Sequence, residues 1–253
     1  MNYNVWLSKY MKALFVLSAT YNPEYIIPSG SPDKNYTKIA MKCFIESLTR
    51  LLPDKHMTKI FEDFMTMNIY VRNYLFSNPE TNRFFDAYPD LKNQLLAKPS
   101  HFFDFCLQSS FTLFVWVYLL NSYIIILFNK SGHVITFPVF NQLRSTYDIN
   151  KLDKEDWGNP LWFIIHISPL YAIGNCLEVY NNLKSMLSCL RFILPCQKCQ
   201  AHLTDNLSKI DIDDCSDSRE KLFESTWRLH NIVSQSIGKY QPTLEEARQY
   251  YKY

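Results

Sequence analysis

The segment of this chain best suited to chemistry is Leu194-Pro195-Cys196-Gln197-Lys198-Cys199. In a C-x2-C at the start of a helix the two sulfurs lie within disulfide reach, and the helix N-terminus stabilises a thiolate. That makes a redox centre; the alternatives are a zinc site and a pair of inert buried cysteines. A zinc site wants a second ligand pair, and the nearby His202 with the distant Cys215 matches no regular zinc spacing. A thioredoxin-like setting needs a βαβ unit, whereas the surrounding sequence is helical. The remaining cysteines, Cys43, Cys106, Cys176, Cys189 and Cys215, bring the total to 7. An odd, scattered set argues against a secreted disulfide framework.

Three further groups flank the pair. Trp157-Gly158-Asn159-Pro160-Leu161-Trp162-Phe163-Ile164-Ile165-His166 precedes it, and Trp227-Arg228-Leu229-His230-Asn231-Ile232-Val233 and Gly238-Lys239 follow. With these in order, residues 155–253 resemble the Erv/ALR family of FAD-linked sulfhydryl oxidases, whose pattern is Trp-x3-His, then Pro-Cys-x-x-Cys, then a His-Asn-x-Val helix ending in Gly-Lys. The Leu-Pro-Cys spelling and the short spacing between the first motifs look most like the versions of large DNA viruses, the baculovirus type among them. The resemblance implies FAD held in a small helical bundle. Two electrons would pass from a substrate dithiol through the Cys196–Cys199 disulfide to the flavin, and then to oxygen to give hydrogen peroxide. It implies that Cys199 is the flavin-proximal sulfur and that Cys196 takes the substrate thiolate. Trp162, His166, His230, Asn231 and Lys239 map onto the family's flavin-binding residues, with Trp227 one turn before His230. The implied partners are protein dithiols, thioredoxin-like or virion proteins among them, together with molecular oxygen. Ordinary members pair as symmetric dimers, and here either a second copy of the chain, as a homodimer, or a fused degenerate copy within one chain is a candidate for that interface. Expected locations are the host cytoplasm or nucleus and the virion.

The chain also departs from that pattern. Asn159 stands where the family usually has a basic residue, and Ser234 replaces the second Asn of the His-Asn helix. Only Tyr250, Tyr251 and Tyr253 are candidates for the family's terminal aromatic residue. Cys215 has no mate for the structural disulfide of many members, and no second cysteine pair exists to act as a shuttle. Cys215 itself, in a polar acidic loop, is a candidate trap for a substrate thiol.

The elements that position these residues read as helices. A chain of 253 residues, 47% hydrophobic and 20% charged, can bury a full core. The 5 glycines give Gly-rich phosphate loops almost no material, and a net charge of +2 offers no field for nucleic acid. Apolar residues recur at three- and four-residue spacing over 34–52 and 176–194, and Asp217 or Ser218 starts another helix running to about Lys239. Turn formers mark Pro28–Pro32, Asn78–Thr81 and 141–156 as breaks, and one short β-like stretch covers His133–Val139. The expected class is all-α: a four- or five-helix Erv-like FAD-binding bundle at 151–253, preceded by a helical domain over 1–150.

That first domain reads as a degenerate Erv-like repeat. Val5-Trp6-Leu7-Ser8-Lys9-Tyr10 aligns with Leu161–His166, the segment from Leu52 to Met57 with Leu194–Cys199, and Tyr118–Asn121 with Arg228–Asn231. Asp54 and Met57 then replace the cysteines, Tyr10 replaces His166 and Leu120 replaces His230. On this alignment the apolar run Phe111–Phe128, long enough to raise the question of a membrane span, is a buried helix. Lys12 to Ala19 has the outline of a signal peptide but starts too far into the chain and is at the minimum length, so secretion is not expected. Two other readings stand beside the oxidase: a non-enzymatic viral structural or membrane-associated helical protein that has lost flavin, and a zinc-bound adaptor using Cys196, Cys199, His202 and Cys215.

Overall fold

The computed structural model describes residues 3–24, 36–133 and 135–252, and all regular structure among them is helical. In chain order the α-helices are α1 (Tyr3–Thr20), α2 (Tyr36–Arg50), α3 (Lys55–Thr66), α4 (Ile69–Ser77), α5 (Pro79–Ala87), α6 (Pro89–Ala97) and α7 (Phe102–Cys106). They continue with α8 (Ser110–Lys130), α9 (Phe140–Thr146), α10 (Lys154–Tyr171), α11 (Cys176–Ile193), α12 (Gln197–Leu207), α13 (Arg219–Ser236) and α14 (Leu244–Tyr250). The class is all-α, and the helices expected over 34–52, 176–194 and 217–239 are α2, α11 and α13. The Pro28–Pro32 turn and Tyr253 lie outside the described residues.

Two compact units form, and they do not follow the linear order. One unites the described parts of Met1–Ala13, Glu24–Lys55 and Lys154–Tyr253; the other comprises Leu14–Pro23 and His56–Asp153. The C-terminal stretch therefore completes its core with the first turns of α1 and with α2.

In the first unit α2 packs along α11, α10 against α13, and α12 against both α11 and α13. The apolar stripes meet here: Phe44 and Leu48 of α2, and Leu183, Leu187 and Leu190 of α11, are all buried. Two devices set the register of α10, α11 and α13. Asn175 and Glu178 form a reciprocal capping box on α11. Just before it, Gly174 has φ +121°, and a Cβ there would lie 2.6 Å from the Glu178 carboxylate, so glycine is required. Arg219, the first residue of α13, donates to the carbonyls of Pro169 (3.1 Å), Ala172 (2.9 Å) and Gly174 (2.6 Å). It satisfies carbonyls that the end of α10 leaves open and ties the two helices together where they start to run side by side.

In the second unit α8 is the centre. Ser109 caps it, and every residue from Leu113 to Leu120 is buried. Trp116 meets Phe64 and Phe103 at ring distances of 5.3 and 4.7 Å. By length and composition α8 could cross a membrane, yet 72% of its most apolar window is buried in the fold, as in a core helix. Two expectations need correction. His133–Val139 contributes no strand: its described residues are irregular, and Asn129 brackets the Ile135 backbone through 3.0 and 2.7 Å bonds. The break expected over 141–156 contains most of α9. Phe140 is 6% exposed and packs among Phe84, Tyr88 and Tyr118, so tertiary burial stabilises a helix that local composition disfavours.

Candidate active site

Cys196 and Cys199 are joined in a disulfide with Cα atoms 5.1 Å apart. Cys196 is the N-cap of α12, and its sulfur accepts a 3.2 Å bond from the Cys199 amide. Pro195 stands ahead of the cap, and Gln200 donates back to the Leu194 carbonyl at 2.9 Å, folding the loop onto the helix start. Both sulfurs sit on half-buried residues, which a partner thiol can approach. When either sulfur becomes a thiolate, the α12 N-terminus stabilises it.

The second cluster joins α10 to α13. His166 is buried, its Nδ1 3.0 Å from Thr226 Oγ1 and its Nε2 2.8 Å from His230 Nδ1. The Thr226 hydroxyl donates to the Phe223 carbonyl at 2.7 Å, so it must accept from His166. Proton counting then fixes the chain: His166 donates through Nδ1, its Nε2 accepts from His230 Nδ1, and His230 Nε2 keeps its lone pair. Burial, and then the neighbouring His230, holds the His166 pKa well below the usual imidazole range. Burial, and then the charge of Lys239, lowers that of His230 to about 4. Both rings are neutral at physiological pH.

Trp162 lies flat on His230, ring centroids 4.1 Å apart and planes within 7°. These rings line an open cavity of about 470 Å³, together with Trp227, Phe163, Tyr240, Pro242 and Tyr251. Trp227 and Asn231, one helical turn apart, both donate to the Pro242 carbonyl, at 2.8 and 3.0 Å. The side-chain oxygen of Asn231 is buried and has no partner among the described residues. A planar ring system with hydrogen-bonding edges suits such a site.

Of the residues singled out from sequence, Trp162, His166, Trp227 and His230 share the cavity, and Asn231 borders it through Pro242. Lys239 does not line it; its ammonium lies 3.1 Å from Glu155. Tyr250 and Tyr251 do line it. The Tyr251 ring is 4.7 Å from His166, and its carbonyl accepts from the Tyr171 hydroxyl at 3.1 Å. Sequence reasoning missed Lys9, Tyr240, Pro242 and Arg219, none of which belongs to a pattern that spacing alone reveals. Cys215 departs from expectation as well: it is 4% exposed, with its sulfur 3.0 Å from Ser225 Oγ, so it offers no open thiol to a substrate. Among the described residues no three His, Cys, Asp or Glu side chains converge as metal ligands, and the zinc-adaptor grouping does not assemble.

Comparison with known proteins agrees on this region. The Erv1/Alr family profile matches residues 159–252. A protein of Acanthamoeba polyphaga mimivirus assigned as a FAD-linked sulfhydryl oxidase is 33% identical over 98 residues, which span 38% of this chain and 68% of that protein. Another with the same assignment, from Invertebrate iridescent virus 3, is 28% identical over 102 residues, 40% of this chain and 69% of its own. No solved structure matches.

Proposed function

The chain belongs to the Erv1/Alr family, and from that premise we infer that it is a FAD-linked sulfhydryl oxidase, an enzyme that forms disulfides in dithiol substrates. The observation that carries this reading is a disulfide capped on a helix N-terminus in the same compact unit as a flat Trp162–His230 stack.

The residues fit the cofactor. Trp162 and His230 present aromatic faces to an isoalloxazine or adenine ring, Trp227 and Tyr251 close the lining, and Asn231, behind the lining, donates to the Pro242 carbonyl at 3.0 Å. His166 holds His230 in plane and fixes its tautomer. Bound FAD supplies a two-electron acceptor that the thiols alone lack, with O2 as the final acceptor and H2O2 as the product.

At the cysteines the steps follow from thiol exchange. A substrate thiolate attacks Cys196 Sγ, the Cys196–Cys199 bond breaks, and Cys199 leaves as a thiolate beside the positive end of α12. The second substrate thiol then attacks the substrate sulfur of the mixed disulfide. Cys196 leaves as a thiolate that keeps the hydrogen bond from the Cys199 amide. Two electrons and two protons have left the substrate.

This proposal extends to the first half of the chain as a degenerate copy of the bundle. Its support is Trp6 and Tyr10 on α1 at the spacing of Trp162 and His166, with a core helix, α8, where the repeat expects one. Thioredoxin-like or virion proteins are the proposed dithiols, and the host cytoplasm or nucleus and the virion the proposed locations. Dithiothreitol-driven oxygen uptake by the full chain tests the activity. The expected result is one H2O2 for each disulfide formed, and absence of uptake in FAD-loaded protein would overturn it.

A further inference from the structure

Lys9 is the one cation among the residues that line the cavity. It lies on α1, in a segment that no part of the Erv1/Alr match reaches. Neighbouring turns hold that helix firmly. Trp6 and Tyr10 are 2% and 0% exposed, the Tyr10 hydroxyl donates to the Leu51 carbonyl at 3.1 Å, and Lys12 pairs with Asp156 of α10 at 3.0 Å. Lys9 itself is half-buried and has no hydrogen-bond or carboxylate partner among the described residues.

The other lining groups cannot balance a negative charge. His166 and His230 are neutral for the reasons given above, and the remaining lining is aromatic, amide or apolar apart from Glu246. Glu246 is already engaged: its carboxylate accepts from the Thr243 amide at 2.7 Å, the Thr243 hydroxyl at 2.9 Å and the Tyr240 hydroxyl at 2.9 Å. Lys239 is tied to Glu155. A dinucleotide bound here brings a diphosphate into a cavity whose one unengaged positive group is the Lys9 ammonium.

We propose that Lys9 binds the FAD diphosphate, so that α1 contributes a cofactor-binding residue to the C-terminal site. An anion facing an unpaired ammonium in a partly desolvated cavity forms a charge-assisted hydrogen bond, and a lysine serves such a group as a point charge. The segment that sequence reading assigns to a copy without function then has a binding role. This rests on the oxidase reading, because it takes FAD as the occupant.

The test is titration of the flavin-free full chain with FAD, followed by flavin fluorescence at low and high salt, with circular dichroism to confirm folding. K9Q should weaken FAD binding about tenfold at low salt, and K9R should stay within about threefold of the wild type. The wild-type affinity should fall with salt more steeply than that of K9Q, because the lost interaction is ionic. K9Q binding FAD as tightly as the wild type would overturn the proposal while leaving the oxidase reading intact. So would equal weakening in K9Q and K9R, which would mark Lys9 as packing rather than charge. A wild-type chain that takes up no FAD would instead overturn the reading on which the proposal rests.

Discussion

Two helices of the first unit carry an aromatic pair at the same spacing and use it differently. On α1, Trp6 and Tyr10 meet edge to face, centroids 5.5 Å apart at 83°, and the phenol ends its hydrogen bond on a backbone carbonyl. On α10, Trp162 and His166 lie nearly parallel at 22°, and the imidazole continues through His230 on one side and Thr226 on the other. A phenol gives its one proton and accepts at the same oxygen, which in Tyr10 lies between the Leu51 carbonyl and the Ser168 side chain; an imidazole gives at one nitrogen and accepts at the opposite one, linking α10 to α13 through two side chains. The first pair is sealed in the core, whereas the second leaves Trp162 half-exposed on a cavity. One polar atom at the fourth residue decides between a packing pair and a binding face. In the second unit α8, the proposed counterpart of α13 with Leu120 in the place of His230, is a core helix.

The largest effect separates chemistry from binding. Cys196→Ser and Cys199→Ser should each reduce dithiothreitol-driven oxygen uptake to background while the protein stays yellow, because thiol exchange needs both sulfurs and the cavity needs neither. Turnover near the wild-type rate in either variant would break the assignment.

Next comes a pair of substitutions on the two helices. Trp6→Ala removes a fully packed indole and should cost ~3–5 kcal/mol of stability by denaturant titration. Trp162→Ala should cost less stability but weaken FAD binding at least tenfold, on the order of a stacking contact and its buried area. His230→Ala should combine both effects, since it also leaves His166 Nε2 unpaired, a loss of ~1–3 kcal/mol. Equal flavin loss in Trp6→Ala and Trp162→Ala, in proteins still folded, would erase the distinction.

The histidine pair sharpens the comparison through pH. The folded pKa of His230 is lowered to about 4 from 6.5, and that of His166 is lowered as well. The unfolded chain therefore binds these protons first. The pair's contribution to stability is complete above about pH 6.5 and is lost progressively as pH falls toward about 4. The thermal midpoint of the wild type should drop across that window more steeply than that of His230→Gln; parallel curves would contradict a neutral pair. The smallest effect belongs to Cys106→Ala. Its thiol is fully buried, with a pKa raised well above normal by desolvation, and has no disulfide or hydrogen-bond partner among the described residues. The expected loss is about 1 kcal/mol of stability and no change in turnover.

The helices around the site were legible because their apolar periodicity and caps are local: Ser218 and Asn175 cap α13 and α11 with their own side chains. Cys196, Cys199, Trp162, His166, His230 and Asn231 were legible as an ordered motif. What sequence did not reveal depends on contacts between distant segments. Lys9 reaches the cavity only because α1 packs in the C-terminal unit, and Arg219 matters only because the carbonyls of Pro169, Ala172 and Gly174 converge on it. Phe140 turns a polar stretch into α9 through partners from α5 and α8. Cys215 looked open in an acidic loop, but its environment is set by Ser225 on another helix.

The central claim is the proposed one, that FAD binds in the Trp162–His230 cavity and takes electrons from the Cys196–Cys199 pair, which shares the compact unit but does not line that cavity. Its most direct test is the visible spectrum of the purified full chain, recorded before and after anaerobic addition of dithiothreitol. The account predicts a flavin band at stoichiometric FAD that bleaches in the wild type, persists in Cys199→Ser and is missing in Trp162→Ala. A colourless wild-type protein with a native helical circular dichroism spectrum, unable to take up added FAD, would contradict it.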